Sequence, residues 1–149
     1  MLALQLDTDI KTFMGRLLRE DIFDQFEVRT AEIHAGVLTT INGLLDSGEF
    51  DTWANLRNLA FNIIKLSPKP KYVKIVFAYK TAETTDIHNN AAALFLNFTY
   101  ESDADGDKVT FTTGTSQKEF IFEKSLDQDW DQWVSGFFAA AGINVFDRE

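Results

Sequence analysis

Few residues in this 149-residue chain have side chains that do chemistry at a recognisable spacing. His34 and His88 are its only histidines, far apart and in different contexts, with no HExxH-like pattern, so a histidine metal site is not expected. Either imidazole can orient a serine, and the carboxylates around Asp24 and Glu27 add titratable groups, but nothing reads as a nucleophile elbow. Asp127, Asp129 and Asp131 pass for paired acids. They stand at the start of a helical pattern, where the helix dipole accounts for them without catalysis. Asp103-Ala104-Asp105-Gly106-Asp107 offers spaced oxygens to calcium, yet Lys108 and Gly114 fill the places where an EF-hand loop needs its glycine and last acidic ligand, so a turn is expected. No glycine-rich phosphate loop of either common type is present. Without cysteine there is no disulfide and no thiol catalysis. No cofactor or metal is expected, and the reading leans away from an enzyme.

Charge supplies the one other chemical signal. The net charge of −9 opposes whole-molecule attraction to nucleic acid or to anionic membrane. Between Asp51 and Glu83, however, there is no acidic residue, while Arg57, Lys65, Lys69, Lys71, Lys74 and Lys80 all fall inside. Setting those six aside leaves eight basic against 23 acidic residues, a balance of −15, so the chain is dipolar in charge. The plain reading is a solvated face and a lysine-protected strand edge. The sharper one is an anion-binding face on which Arg16 and Arg19 join the six, able to hold a polyanion such as nucleic acid.

The elements that position these groups follow from hydrophobic spacing. Ala93 to Glu123 holds three period-two patterns. With Asp105-Gly106 as a two-residue turn, Tyr100 faces Phe111 and Phe98 faces Thr113, and Leu96, Phe98, Tyr100, Val109 and Phe111 share a buried face. Phe120 and Phe122 are expected to add a third strand. Residues 2 to 6 read as a short strand, and Ile10, Phe13, Met14, Leu17 and Leu18 as the stripe of a helix capped by Asp7 or Thr8. From Phe23 to Leu45 the period is two, with a change of phase that demands a bulge or a split. Asp51 or Thr52 caps a second helix that turns Trp53, Leu56, Leu59, Ala60, Ile63 and Ile64 inward and ends at Ser67-Pro68-Lys69-Pro70. Residues 71 to 80 form a strand, and Thr81 to Ala92 a loop or a short frayed helix. A last helix opens on a capping box of Ser125 and Gln128, carries the stripe Leu126, Trp130, Trp133, Val134, Phe137 and Phe138, and stops at Gly142.

These elements predict one domain over 1–149 of the α+β class, a mostly antiparallel sheet covered by two or three helices, with a tail at 143–149 that frays. The start of the chain lacks the pattern of a secretory leader and no apolar run is long enough to span a bilayer, so the expectation is a cytoplasmic protein off the membrane. Leu2-Ala3-Leu4 before Ile10-Lys11-x-Phe13-Met14, Val73 to Phe77, Thr113-Gly114-Thr115-Ser116, Phe120, Lys124-Ser125-Leu126 and Trp130-Asp131 resemble a small family of uncharacterised bacterial proteins, a domain of unknown function. That resemblance implies no activity and no site residues. The order of elements is also similar to that in one domain of a DNA sliding clamp, whose helices line a basic channel. Lys11, Arg16, Arg19, Arg57 and Lys65 on the first two helices fit that picture, and the acidic third helix does not. The function expected is a non-enzymatic module that binds a protein partner. The alternatives are an enzyme with a site assembled from scattered residues, and a clamp-like polyanion binder.

Overall fold

In the computed structural model, which describes residues 1–148, strand β1 (Ala3–Leu6) buries Leu4 and Leu6 and leads into helix α1 (Ile10–Arg19). The cap of α1 is Asp9, in place of the expected Asp7 or Thr8. Only a carboxylate three residues upstream reaches Thr12, whose N–H and Oγ1 donate to Asp9 Oδ2 at 2.9 and 2.6 Å. β2 (Glu27–Ala35) and β3 (Val37–Asn42) form a hairpin through Gly36 at φ 80°. The change of phase in β2 is a bulge: Val28 pairs with Phe77 and Thr30 with Val76, leaving Arg29 as the extra residue, so Val28 and Ala31 both reach the core.

Helix α2 (Trp53–Ile64) buries Trp53, Ala60 and Ile64, but Leu59, expected inward, is exposed. β4 (Tyr72–Ala78) follows the proline loop, and a 3-10 helix at Thr81–Asp86 occupies the stretch that reads ambiguously in sequence. β5 (Ala91–Asp103) and β6 (Gly106–Gln117) make the long hairpin, with a register two residues from the expected one: Tyr100 pairs with Val109 and Phe98 with Phe111. The turn is Ala104-Asp105. Asp103 Oδ1 accepts from the Asp105 N–H, and the positive φ falls on Gly106, whereas a type I′ turn needs positive φ at both of its central residues. A shift of two keeps every side chain on its face, so the buried set is as expected.

Phe120 and Phe122 form no strand and stand exposed; the neighbour of β6 is β1. Helix α3 (Ser125–Ala141) begins without the capping box, because Ser125 is its first helical residue and the Ser125 hydroxyl is bonded to His88. At its other end Gly142 adopts φ 70°, and the Ile143 N–H returns to Phe138 O. Residues 145–147, in the stretch expected to fray, instead pair with β1 as strand β7 (Val145–Asp147).

Among the described residues seven strands lie in the order β3-β2-β4-β5-β6-β1-β7, every pair antiparallel. All three α-helices pack on one face. Phe13 of α1 meets Phe98 and Phe111, Trp53 of α2 meets Phe77, and Phe138 of α3 meets Phe111. The opposite face presents Glu32, His34, Tyr72, Lys74, Thr99 and Thr110. The protein is thus a two-layer α+β fold with its core between a sheet and a helical layer. Among the described residues no helix is long and apolar enough to cross a membrane.

Candidate binding groove between the first two helices

Helices α1 and α2 are in contact, and between them opens a groove of about 680 Å³. Ile10, Met14 and Leu18 of α1 form one wall and Phe61 and Ile64 of α2 the other. Pro68 and Pro70, which stop α2, close one end, and Tyr100 and Asp107 of the β5–β6 hairpin form the base there. The groove is lined mainly by apolar groups and edged by four cations: Lys11, Arg19, Lys65 and Lys69.

The cations differ in state. Lys69 Nζ lies 3.0 Å from Asp107 Oδ1, and the Tyr100 hydroxyl donates to Asp107 Oδ2 at 3.2 Å. The Lys69 hydrogen bond holds the Asp107 carboxyl below its ordinary range, Asp107 raises Lys69 in turn, and burial pushes the Tyr100 phenol up. Among the described residues no carboxylate lies within ion-pair distance of Lys11, Arg19 or Lys65. Lys65 Nζ sits 5.2 Å from the centre of the Phe61 ring, a cation–π contact that keeps it at the groove wall. Arg19 folds back over Gly15, where a Cβ would stand 2.6 Å from its guanidinium.

Of the eight basic residues singled out in sequence, the groove gathers Arg19, Lys65 and Lys69. Arg16 donates to Ala141 O at 2.6 Å and lies 3.7 Å from Glu20. Arg57 makes a two-pronged pair with Asp24, both contacts at 2.9 Å, which raises its own pKa. Lys71 and Lys74 line a shallow depression with Glu101 and Asp103, and Lys80 sits exposed ahead of the 3-10 helix. Arg16 lines a depression with Lys11 and Arg19 beside the groove, whereas Arg57, Lys71, Lys74 and Lys80 line neither.

The candidates for acid–base chemistry are also apart. His34 meets Tyr72 edge-on at 5.6 Å on the sheet face without helices. His88 Nδ1 accepts the Asn90 N–H at 3.0 Å, which leaves the ring hydrogen on Nε2, directed at Ser125 Oγ 2.9 Å away. In that tautomer the imidazole is a donor to the serine and not its base. Asp24 is held by Arg57, and Glu27 accepts from the Thr81 N–H and hydroxyl. Among the described residues no three His, Asp or Glu side chains converge on a metal-sized centre.

A family described only as being of unknown function, DUF5721, matches residues 16–146 of this chain. The chain belongs to that family. No curated protein and no solved structure matches it. The DUF5721 match takes in β2 to β6 and the first two residues of β7, and it includes Leu18, Arg19, α2, the proline loop, Tyr100 and Asp107 of the groove. Ile10, Lys11, Met14 and Gly15 lie just ahead of it.

Sequence reading missed the groove floor, since Tyr100 and Asp107 are distant in the chain from α1 and α2. It also missed a second feature. Between β6 and α3, Phe120 and Phe122 project into solvent, 78% and 91% exposed, their rings in edge contact at 4.8 Å. Two side-chain amides hold this loop in place: Gln117 bonds both the N–H and the C=O of Ile121, and Asn90 does the same for Glu119.

Proposed function

We propose that this DUF5721 protein is a non-enzymatic binding module of the cytoplasm whose α1–α2 groove takes an amphipathic, acidic segment of a protein partner. The observation that carries this reading is the pairing of apolar walls with the rim cations Lys11, Arg19 and Lys65, none of them in an ion pair among the described residues, in a molecule otherwise strongly acidic. A helix laid in such a groove buries an apolar face and sets carboxylates against the rim, which gives both affinity and orientation. The fold needs no disulfide, which agrees with a reducing compartment.

The position of Arg57, Lys71, Lys74 and Lys80 outside the adjoining depressions that gather Arg16, Arg19, Lys65 and Lys69 weighs against the clamp-like alternative, because polyanion binding needs a continuous positive footprint. The tautomer of His88 and the engaged states of Asp24 and Glu27 weigh against the enzymatic one.

Fluorescence anisotropy with two helical peptides of identical apolar face, one with an acidic and one with a basic polar face, tests the proposal. The acidic peptide should bind, and Lys65→Glu should weaken it roughly tenfold, the loss expected for reversing one rim charge. Binding that ignores peptide charge, or none with either, refutes it. Affinity for DNA, RNA and heparin that falls steeply from about 50 to 200 mM salt would favour the polyanion reading instead.

A further inference from the structure

The two edges of the sheet are built differently. The β7 edge is three residues long and ends in Asp147, followed by Arg148. Short length and charge are the usual protections of an exposed edge. The β3 edge has neither. It runs six residues, Val37-Leu38-Thr39-Thr40-Ile41-Asn42, with no charge, no proline and no bulge in its pairing with β2, and Val37 and Leu38 are 64% and 59% exposed. From Ile33 to Leu45 the chain has no acidic residue, lysine or arginine at all.

Helix α2 extends this neutral surface. At 100° per residue, Phe61 and Ile64 face the groove and α1, which places Leu59 and Ile63 on the opposite flank, with Leu66 in the turn just past the end of the helix. Helix α2 packs on β2, with α1 on its far side over β5 and β6, so that flank looks toward the β3 edge. Leu59 and Leu66 are 48% and 67% exposed. An open backbone edge and an apolar helix flank therefore border the same side of the molecule.

We propose that this side joins two copies of the chain, β3 pairing antiparallel with β3 of a second copy about a twofold axis normal to the sheet. Opposed residues in an antiparallel pair point to the same face, so the axis must pass beside a residue that faces itself. An axis at Thr39 sets Val37 against Ile41 of the second copy under the helices and Leu38 against its Thr40 on the open face. It also brings the two α2 flanks together above the joined sheets. A second copy is the occupant because every cross-pair in this register is neutral. For a chain of −9, a neutral edge lets two copies meet without like charges opposed. Strand pairing alone falls short of the roughly 800 Å² per partner that stable interfaces bury, so a stable dimer requires the α2 flanks to contribute as well. The groove lies on the other flank of α2 and stays open in the dimer, so this proposal and the partner reading fail independently.

The absence of cysteine makes a direct test available. Thr39→Cys places two sulfurs across the axis, where the Cα separation of roughly 4.5–5.5 Å suits a disulfide. Mild oxidation should link this variant into a dimer, while the exposed control Thr8→Cys should stay monomeric. In sedimentation the wild type should be a dimer, and the double variant Val37→Lys/Thr39→Lys should weaken it by about a hundredfold or more, since it opposes like charges at the axis. Circular dichroism would confirm that the double variant is folded. A wild-type chain that stays monomeric at its solubility limit overturns the proposal, as does a Thr39→Cys variant that links no faster than the control.

Discussion

The Tyr100 hydroxyl donates to Asp107 Oδ2 at 3.2 Å while Lys69 holds the other oxygen of the same carboxylate at 3.0 Å, and this cluster closes one end of the groove. Asp107 is depressed chiefly by Lys69, so its contribution to stability is complete above the ordinary carboxylate range and is lost as pH falls through its lowered value. Lys69 is raised, so its share is complete below the ordinary lysine range and is lost only as pH rises through its elevated value. Denaturant unfolding of wild type and Asp107→Asn should differ most near neutral pH and converge as pH falls from about 5 to about 2. The difference will be small, because the Lys69 side chain is 62% exposed to screening water. A gap that widens on acidification would contradict this account.

Two glycines should respond in opposite directions. A Cβ on Gly43 would lie 1.8 Å from the carbonyl oxygen of Val28, where β2 and the segment after β3 approach too closely for any side chain. Gly43→Ala must push backbone apart and should cost roughly 1–3 kcal/mol or more. Gly136 sits exposed within α3 with nothing within 4 Å of its would-be Cβ, and Gly136→Ala should stabilise by about 0.5–1 kcal/mol. Thermal melts of the two variants against wild type check both signs.

Thr113 is the buried polar tie between α3 and the sheet. Its Oγ1 donates to Asp131 Oδ1 at 2.6 Å and accepts the Leu2 N–H at 2.8 Å, and two residues on Thr115 donates to Asp127. Thr113→Val keeps the shape but removes the acceptor of the Leu2 N–H and leaves Asp131 only its ion pair with the Met1 amine, and should cost about 1–3 kcal/mol. Chemical denaturation measures it, with an exposed threonine-to-valine change on the opposite sheet face as the reference.

Those aspartates show where sequence reasoning reaches its limit. Asp127 and Asp131 read as surface charges at a helix start, since nothing local reveals that α3 will lay them against Thr115 and Thr113. The faces of β5 and β6 were legible because period two survives a slip of two residues. The turn was not, because its position depends on the Asp103 side chain and on which residue takes positive φ. Phe120 and Phe122 alternate as a strand does, but alternation carries no information on whether a neighbouring strand exists. The groove was legible only in part, as an unexplained run of basic residues. Its apolar walls read as ordinary helix stripes, and Tyr100 and Asp107 reach it only through the tertiary fold.

The loop at 117–123 gives the last prediction. Phe120 and Phe122 bury little on folding, so changing both to serine should move stability by no more than about 0.5 kcal/mol. The loop owes its shape to the amides of Gln117 and Asn90, which satisfy backbone groups that would otherwise face water. Asn90 also lends its own C=O to the Lys118 N–H, so it anchors the loop at three points. Asn90→Ala should therefore loosen the segment without unfolding the sheet, and brief digestion with chymotrypsin should cut after Phe120 or Phe122 faster than in wild type. Equal rates of cleavage would mean that the loop is held by something other than these amides. Faster cleavage with an unchanged global melt would place the opening in the loop alone, since local opening and global unfolding are separate equilibria.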